Sequence, residues 1–329
     1  MANSGTLIIA ELNDGKLAGV SREAVAVGVG LSNELGSEIS AAVIGTDTQA
    51  AASELVAAGA GKVYTIENAD LASYQPDAYV QVILALVKKV QPKLILTGQT
   101  DVGRDLAPKV AFKLGASLTL DAVDISVEDG KLRATKPVYG GSAQATFESA
   151  ADLHMAAIRI KAFEPLAADP GRSGSIESFD VSLDPAATKV KVTDVKKQES
   201  EGVRLEDAAV VVSGGRGLGG PEPFEQLEDL AKILGGAVGA SRAVCDAGWV
   251  PASLQIGLTG KTVTPDLYIT IGISGASQHM AGCTGAKNIV SINKDKDCNM
   301  FKESRFGVTG AWEEVFPAFL EMCRELRGS

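Results

Sequence analysis

Short runs of apolar, largely β-branched residues alternate with longer stretches of helical apolar periodicity through the first half of the chain. Runs at Leu7–Ala10, Ile39–Ile44, Val63–Ile66 and Leu94–Thr97 have the length and composition of buried strands. Between them the pattern predicts helices. One runs from a Ser21 cap to about Leu35, and one covers Thr48–Ala58. A third is opened by Pro76-Asp77 with Val80, Ile83, Leu84 and Val87 on one face, and a fourth spans about Arg104 to Leu114. Such alternation predicts βαβ units and a parallel sheet. After Leu114 the helices give way to extended segments: Leu118–Val127, Leu132–Val138, Ser142–Phe147 and Leu153–Ile160, with Tyr139-Gly-Gly turning between the second and third. These predict an antiparallel addition to the parallel sheet.

From Glu164 to Arg204 the chain carries prolines and the charged run Lys196–Gly202, the composition of a domain boundary, with short strands expected near Val181 and over Lys189–Val195. The α/β alternation then restarts. Strands are expected at Ala208–Val212, Ala237–Ala240, Leu267–Ile273 and Asn288–Ile292, and a helix over Pro223–Leu234. The last helix, Trp312 to Leu326, bears an apolar stripe of Val315, Phe316, Phe319, Leu320, Cys323 and Leu326 that reads as core packing. The fold class is therefore α/β in two domains, residues 1–200 and 204–329.

The 329 residues, 45% hydrophobic and 22% charged, are enough for two soluble domains. A net charge of −10 disfavours nucleic acid or an anionic membrane surface as the main partner. No apolar run reaches the length of a membrane span. The N-terminal residues resemble no export or targeting leader, so the expected location is cytoplasmic, with a mitochondrial form whose leader has been removed as the alternative. Cys245, Cys283, Cys298 and Cys323 show no C-x-x-C spacing, so neither a metal centre nor a disulfide framework is expected.

Several motifs invite a function. Gly215-Arg-Gly-Leu-Gly-Gly220 fits G-x-G-x-x-G after a strand and before a helix. The next strand, however, ends in Ser241-Arg242 rather than the acidic residue of a usual dinucleotide site. Phosphate binding by that turn stays reasonable, because its amides are unpaired. Thr259-Gly-Lys-Thr262 lacks the first glycine of a P-loop, which falls at Gln255. Gly28 and Gly30 sit within a predicted helix, and His154, in an alternating β pattern, reads as structural. The most informative stretch is Leu267-Tyr-Ile-Thr-Ile-Gly-Ile-Ser-Gly-Ala-Ser-Gln-His279. It is a strand emptying into small residues, then Gln278 and His279; ordinary loop residues are the plain alternative.

That stretch, running on to Gly282 and Asn293, resembles the signature of the α subunit of electron transfer flavoproteins, with Ser277 where that family usually has Ile or Val. Further matching stretches are Val211–Gly217, Gly239–Ala243, Asp246–Pro251, Gln255–Lys261, Gly98–Pro108 and Lys136-Pro-Val-Tyr-Gly-Gly141. The resemblance implies an N-terminal sheet of the adenine-nucleotide-hydrolase kind that packs on a β subunit, and a Rossmann-like C-terminal domain that binds FAD. It implies that Arg216 and Ser241 contact the phosphate and sugar region, and that Arg242 lies against the isoalloxazine. It likewise implies that Thr259 bonds N5 and His279 bonds O2. Gln255, Gly260, Ser274, Gly275, Gln278 and Asn293 would complete the cage. Arg242, Thr259 and His279 would then tune the redox potential. A permanent cation and a donor stabilise the negative charge that reduction places on the ring.

The resemblance also implies an electron carrier without substrate chemistry of its own. It would take electrons from acyl-CoA-type dehydrogenases, or from NADH in a bifurcating variant, and pass them to a quinone oxidoreductase or other acceptor. A flavin- or NADP-dependent oxidoreductase with its own substrate is the competing reading. Arg305-Phe-Gly-Val308 and Ala311 depart from the family, which has an acidic FAD contact at the latter position.

Overall fold

The computed structural model describes residues 4–35, 38–141, 143–195 and 203–328. The charged run Lys196–Gly202 and the predicted strand's first residue, Ser142, lie outside them. The chain forms two compact units, one of residues 1–138 with 144–196, the other of 139–143 with 197–329.

The first unit opens with β1 (Thr6–Ala10), every residue buried. A small hairpin, β2 (Leu12–Asn13) and β3 (Lys16–Leu17), turns on Asp14-Gly15, both at positive φ as a two-residue β-turn demands. Helix α1 (Gly19–Gly30) follows. Ser21 is not its cap: it lies inside the first turn, buried, and its hydroxyl accepts the Glu11 backbone N–H at 2.9 Å. Nor does the helix reach Leu35. It ends at Leu31, and α2 (Ser32–Leu35) is a separate turn.

Next come β4 (Ile39–Gly45), α3 (Gln49–Ala58), β5 (Lys62–Glu67) and α4 (Pro76–Val90). Helix α4 has Pro at its start and Lys88 and Lys89 in its last turn, each where the helix ends favour them. β6 (Leu94–Gly98) leads into α5 (Asp101–Leu114). The Thr100 hydroxyl caps α5 by accepting the Gly103 N–H at 2.9 Å, so the helix starts three residues before the apolar periodicity announces it.

The later strands correct one expectation. β7 (Ser117–Ala122) and β8 (Asp124–Glu128) are separate, followed by β9 (Lys131–Val138), β10 (Ala143–Glu148), β11 (His154–Ile158) and β12 (Ser175–Ser178). Strand β11 pairs in parallel with both β6 and β7, and β12 with β5. The main sheet therefore has seven strands in the order β12-β5-β4-β1-β6-β11-β7, while β10-β9-β8 form a sheet of their own. Only β8–β10 stand apart from the parallel sheet, because β11 is buried along its whole length and must lie between neighbours. No strand forms over Lys189–Val195. His154 is buried in β11 with neither ring nitrogen hydrogen-bonded, and burial lowers its pKa to about 4, so it stays neutral.

The second unit contains β13 (Val210–Gly214), α6 (Phe224–Leu234), β14 (Ala237–Ala240), α7 (Arg242–Asp246) and β15 (Leu267–Ile271). It continues with α8 (Ser277–Met280), β16 (Ile289–Asn293), α9 (Asn299–Glu303), β17 (Phe306–Thr309) and α10 (Trp312–Arg327). Its five strands are all parallel, in the order β14-β13-β15-β16-β17. On one face Val212, Ile269, Ile271 and Ile292 meet Leu227 and Leu230 of α6 and Phe316 and Leu320 of α10. On the other, Val211, Tyr268 and Ile289 pack with Ile256, Met280 and Met300. The predicted stripe of α10 stops short, since Leu326 is 79% exposed beyond the end of that face.

Candidate functional site

The strand order of the second unit reverses between β13 and β15: β14 lies to one side of β13, and β15, β16 and β17 to the other. Open parallel sheets receive ligands at the carboxyl ends of the strands at such a point. Here the two loops are made of glycine and meet backbone to backbone. A Cβ on Gly215 would stand 2.2 Å from the Gly272 carbonyl oxygen, and one on Gly217 would be 2.8 Å from Gly272 Cα. Gly272 itself needs φ +65°, which a side chain rarely adopts. The sequence Gly215-Arg-Gly217 thus serves close approach. It leaves a turn, Arg216–Leu218, with an exposed arginine at its start.

Two further strand ends frame this point. Ser241 follows β14 and is tied to β13 by its N–H donating to the Gly214 carbonyl at 3.0 Å. Arg242 opens α7 with its side chain 66% exposed, and its Nε donates to Asp246 at 3.1 Å. It is held by that carboxylate and by no other predicted site residue among those described. Beyond β15, Ser274 is exposed, and Gly275 turns at φ +75° with the Met300 amide only 2.2 Å from where its Cβ would stand. Asn293, ending β16, donates to the Ile273 carbonyl at 2.9 Å and accepts the Asp295 N–H at 3.0 Å, so it fixes the loop that carries Ser274.

The remaining residues come together as one group. Gln255 is 9% exposed and donates through Nε2 to the Thr259 hydroxyl at 2.9 Å. Because that oxygen accepts from the amide, the threonine keeps its own hydrogen to donate. Gly260 is required, for a Cβ there would lie 2.4 Å from the Gln255 carbonyl oxygen. The loop is bound to α8 by the Leu258 N–H donating to the Gln278 carbonyl at 2.7 Å, and Gly282 lies against Gly257. Lys261 pairs with Glu206. Burial pushes that carboxylate's pKa up, but the Lys261 ammonium, a backbone hydrogen bond and the charge of Arg204 together hold it below the usual range. Gln278 is exposed, while His279 is 7% exposed with Nε2 2.9 Å from the Tyr268 hydroxyl. His279 Nδ1 is buried and makes no hydrogen bond. Burial lowers the ring's pKa to about 4, opposed by the Ile256 backbone. The imidazole is therefore neutral at physiological pH.

Ser277, the departure noted in the sequence, begins α8 at the surface and disturbs none of these contacts. Ala311 occupies the N-cap of α10 and offers no side-chain cap. Sequence reasoning missed Tyr268, whose only signal was an aromatic hydroxyl in a strand otherwise made of aliphatic residues and Thr270.

A strand reversal bordered by glycine backbone, with exposed arginines beside it and hydrogen-bond donors in the neighbouring loops, is the place where open parallel sheets receive nucleotide ligands. Residues 6–184 match the electron transfer flavoprotein domain, and residues 204–284 the electron transfer flavoprotein FAD-binding domain. Over 320 residues the chain is 42% identical to the electron transfer flavoprotein subunit alpha of Bacillus subtilis (strain 168), covering 97% of each. It is 40% identical over 329 residues to that of Megasphaera elsdenii, covering 98% of this chain and 97% of the relative. To Protein FixB of Clostridium saccharobutylicum it is 37% identical over 327 residues, covering 98% and 97%. The chain belongs to the α-subunit family of electron transfer flavoproteins, and its role lies in electron transport.

The residues present fit a flavin nucleotide. The Arg216 and Arg242 side chains are exposed beside the strand reversal, the Thr259 hydroxyl keeps a hydrogen to donate and His279 Nδ1 makes no hydrogen bond, groups of the kind a flavin nucleotide's phosphates and heteroatoms engage. No helix among the described residues is long and apolar enough to cross a membrane. No cluster of three or more His, Cys, Asp or Glu among them could hold a metal.

Proposed function

We propose that this chain is the FAD-binding subunit of a heterodimeric electron transfer flavoprotein. It pairs with a β subunit and carries electrons from an acyl-CoA-type dehydrogenase to a quinone oxidoreductase or another acceptor, with no substrate of its own to transform. The observation that carries this reading is the backbone-only contact of Gly215 and Gly217 with Gly272 at the strand reversal, flanked by Arg216, Ser241 and Arg242.

When bound, FAD supplies one-electron redox chemistry. The chain's own residues bind and bias it. The amides of Gly215, Gly217, Leu218 and Gly219 are spent on backbone carbonyls rather than unpaired as the motif suggested, so the side chains of Arg216 and Ser241 take the phosphate and sugar region. Ser274, Gly275, Gln278 and Asn293 enclose the remainder of the nucleotide. The guanidinium of Arg242, exposed and anchored through one nitrogen by Asp246, keeps its terminal nitrogens free to face a flat, electron-accepting ring. Thr259, fixed by Gln255, donates a hydrogen bond. Neutral His279 adds a second polar contact without a competing positive charge.

Absorbance and cofactor extraction of the purified protein test the proposal. One FAD per chain, a tightly associated second subunit, and no turnover of NADPH by the protein alone are expected. A colourless protein that oxidises NADPH unaided would instead establish the oxidoreductase reading.

A further inference from the structure

Tyr268 is fully buried on β15, and His279 is nearly so on α8. Their rings lie almost parallel, 22° apart with centroids at 6.2 Å, and the phenol oxygen sits 2.9 Å from Nε2. A neutral imidazole has one protonated and one bare nitrogen, so this contact can be made in two ways. If Nε2 carried the proton, it would donate to the phenol oxygen, and the phenol's own hydrogen would need another acceptor. The Ser213 hydroxyl is close enough to influence the phenol, yet it is buried and makes no hydrogen bond of acceptable geometry. That arrangement leaves a buried O–H unpaired, a costly state. If the phenol donates to a bare Nε2, both atoms are satisfied and the proton sits on Nδ1. The Ile256 backbone, which favours protonation of the ring, agrees with this geometry.

We propose that Tyr268 is a positioning residue for His279: it donates to Nε2, fixes the Nδ1–H tautomer and orients the ring, so that Nδ1 is the donor the imidazole offers. The consequence for a flavin rests on the reading of His279 as a cofactor contact given above. A donor at that contact favours an electron-rich ring over an electron-poor one, so the tautomer bears on potential as well as on binding.

The chain has only two histidines, which makes the test direct. The full-length protein is labelled with 15N-histidine, and His154→Gln assigns the signals. The expected result is a protonated Nδ1 and a bare Nε2 at residue 279, with no titration of that ring down to about pH 5. A protonated Nε2 in the unsubstituted protein would overturn the proposal. Tyr268→Phe is expected to give a mixture of tautomers and to lower the one-electron equilibrium constant of bound FAD about tenfold, which is 59 mV for a one-electron couple. Should that variant fail to fold, 3-fluorotyrosine incorporated at the chain's five tyrosines keeps the shape and sharpens the donor. The Nε2 resonance should then move, and an unmoved one refutes the pairing. FAD uptake is read separately. A chain with the expected tautomer that takes up no FAD leaves Tyr268 in its role and removes the flavin as the ligand.

Discussion

Each unit of this protein has a place where the order of its parallel strands reverses, and the two places are filled differently. In the first unit the reversal falls between β1 and β6. There Glu11 follows β1, accepts the Thr100 hydroxyl at 2.7 Å and lies beside Thr97, and a Cβ on Gly98 would stand 2.7 Å from Val20 and 3.2 Å from the Glu11 carboxyl. Burial, reinforced by Asp101 and opposed by the threonines and the Gly98 backbone, pushes the Glu11 pKa up to about 7. A carboxylate so placed repels phosphate. In the second unit the equivalent position between β13 and β15 holds glycine backbone, with no acid in the turn. One architecture thus carries a buried acid at one reversal and bare glycine backbone at the other, decided by which residue follows the first strand.

The largest effect should come from making the second reversal resemble a filled one. Gly215→Ala puts a methyl 2.2 Å from a carbonyl oxygen that belongs to backbone and cannot swing aside. The second unit should lose about 3 kcal/mol of stability and take up no FAD, as read by denaturant unfolding and flavin titration. Normal FAD binding by this variant would break the contrast. Gly19→Ala, which faces open space at the start of α1, should stay within about 0.5 kcal/mol in the same unfolding assay.

The first reversal is tested by pH. The folded pKa of Glu11 lies above its unfolded value near 4.5, so the folded state holds the extra proton between them. Its contribution to stability is therefore greatest at low pH and falls as pH rises from about 4.5 to 7. The loss is on the order of 2 kcal/mol, allowing for solvent screening at a partly exposed residue. Glu23, raised to about 7 chiefly by burial, titrates in the same window. Glu11→Gln should thus reduce the slope of stability against pH without abolishing it, and an unchanged slope would mean that the carboxyl is well solvated.

A smaller structural effect but a distinct functional one is expected from Arg242→Ala. The Arg242–Asp246 pair is exposed on both sides, and such pairs contribute under about 1 kcal/mol. Melting temperature should hardly move, while the potential of bound FAD falls. An unchanged potential would remove Arg242 from the rim of the site.

Much of this was legible in the apolar pattern. Strands β1, β4, β5 and β6 and those from β13 to β16 follow from local runs, whereas the short β2–β3 hairpin does not, and the glycine-rich turns and His279 stood out by composition. What the pattern could not give was partnership. Leu153–Ile160 reads as extended, but nothing local says that β11 slides between β6 and β7 in parallel. Ser21 resembles a helix cap until the Glu11 amide claims its hydroxyl. β17, with all four residues exposed, is too short and too polar in setting to announce itself. Tyr268 illustrates the same limit at the site. Its neighbours in sequence mark it as a strand residue, and only packing across eleven positions reveals the imidazole it meets.

The hydrogen bond from Leu258 to Gln278 and the seating of Gly282 on Gly257 weld the loop bearing Thr259 to the turn bearing His279. A displacement that relaxes one must therefore drag the other. Under the proposed reading, a change in how this subunit holds a flavin ring must shift both handles in concert, which leaves the exposed and singly tethered Arg242 as the contact that can be altered independently.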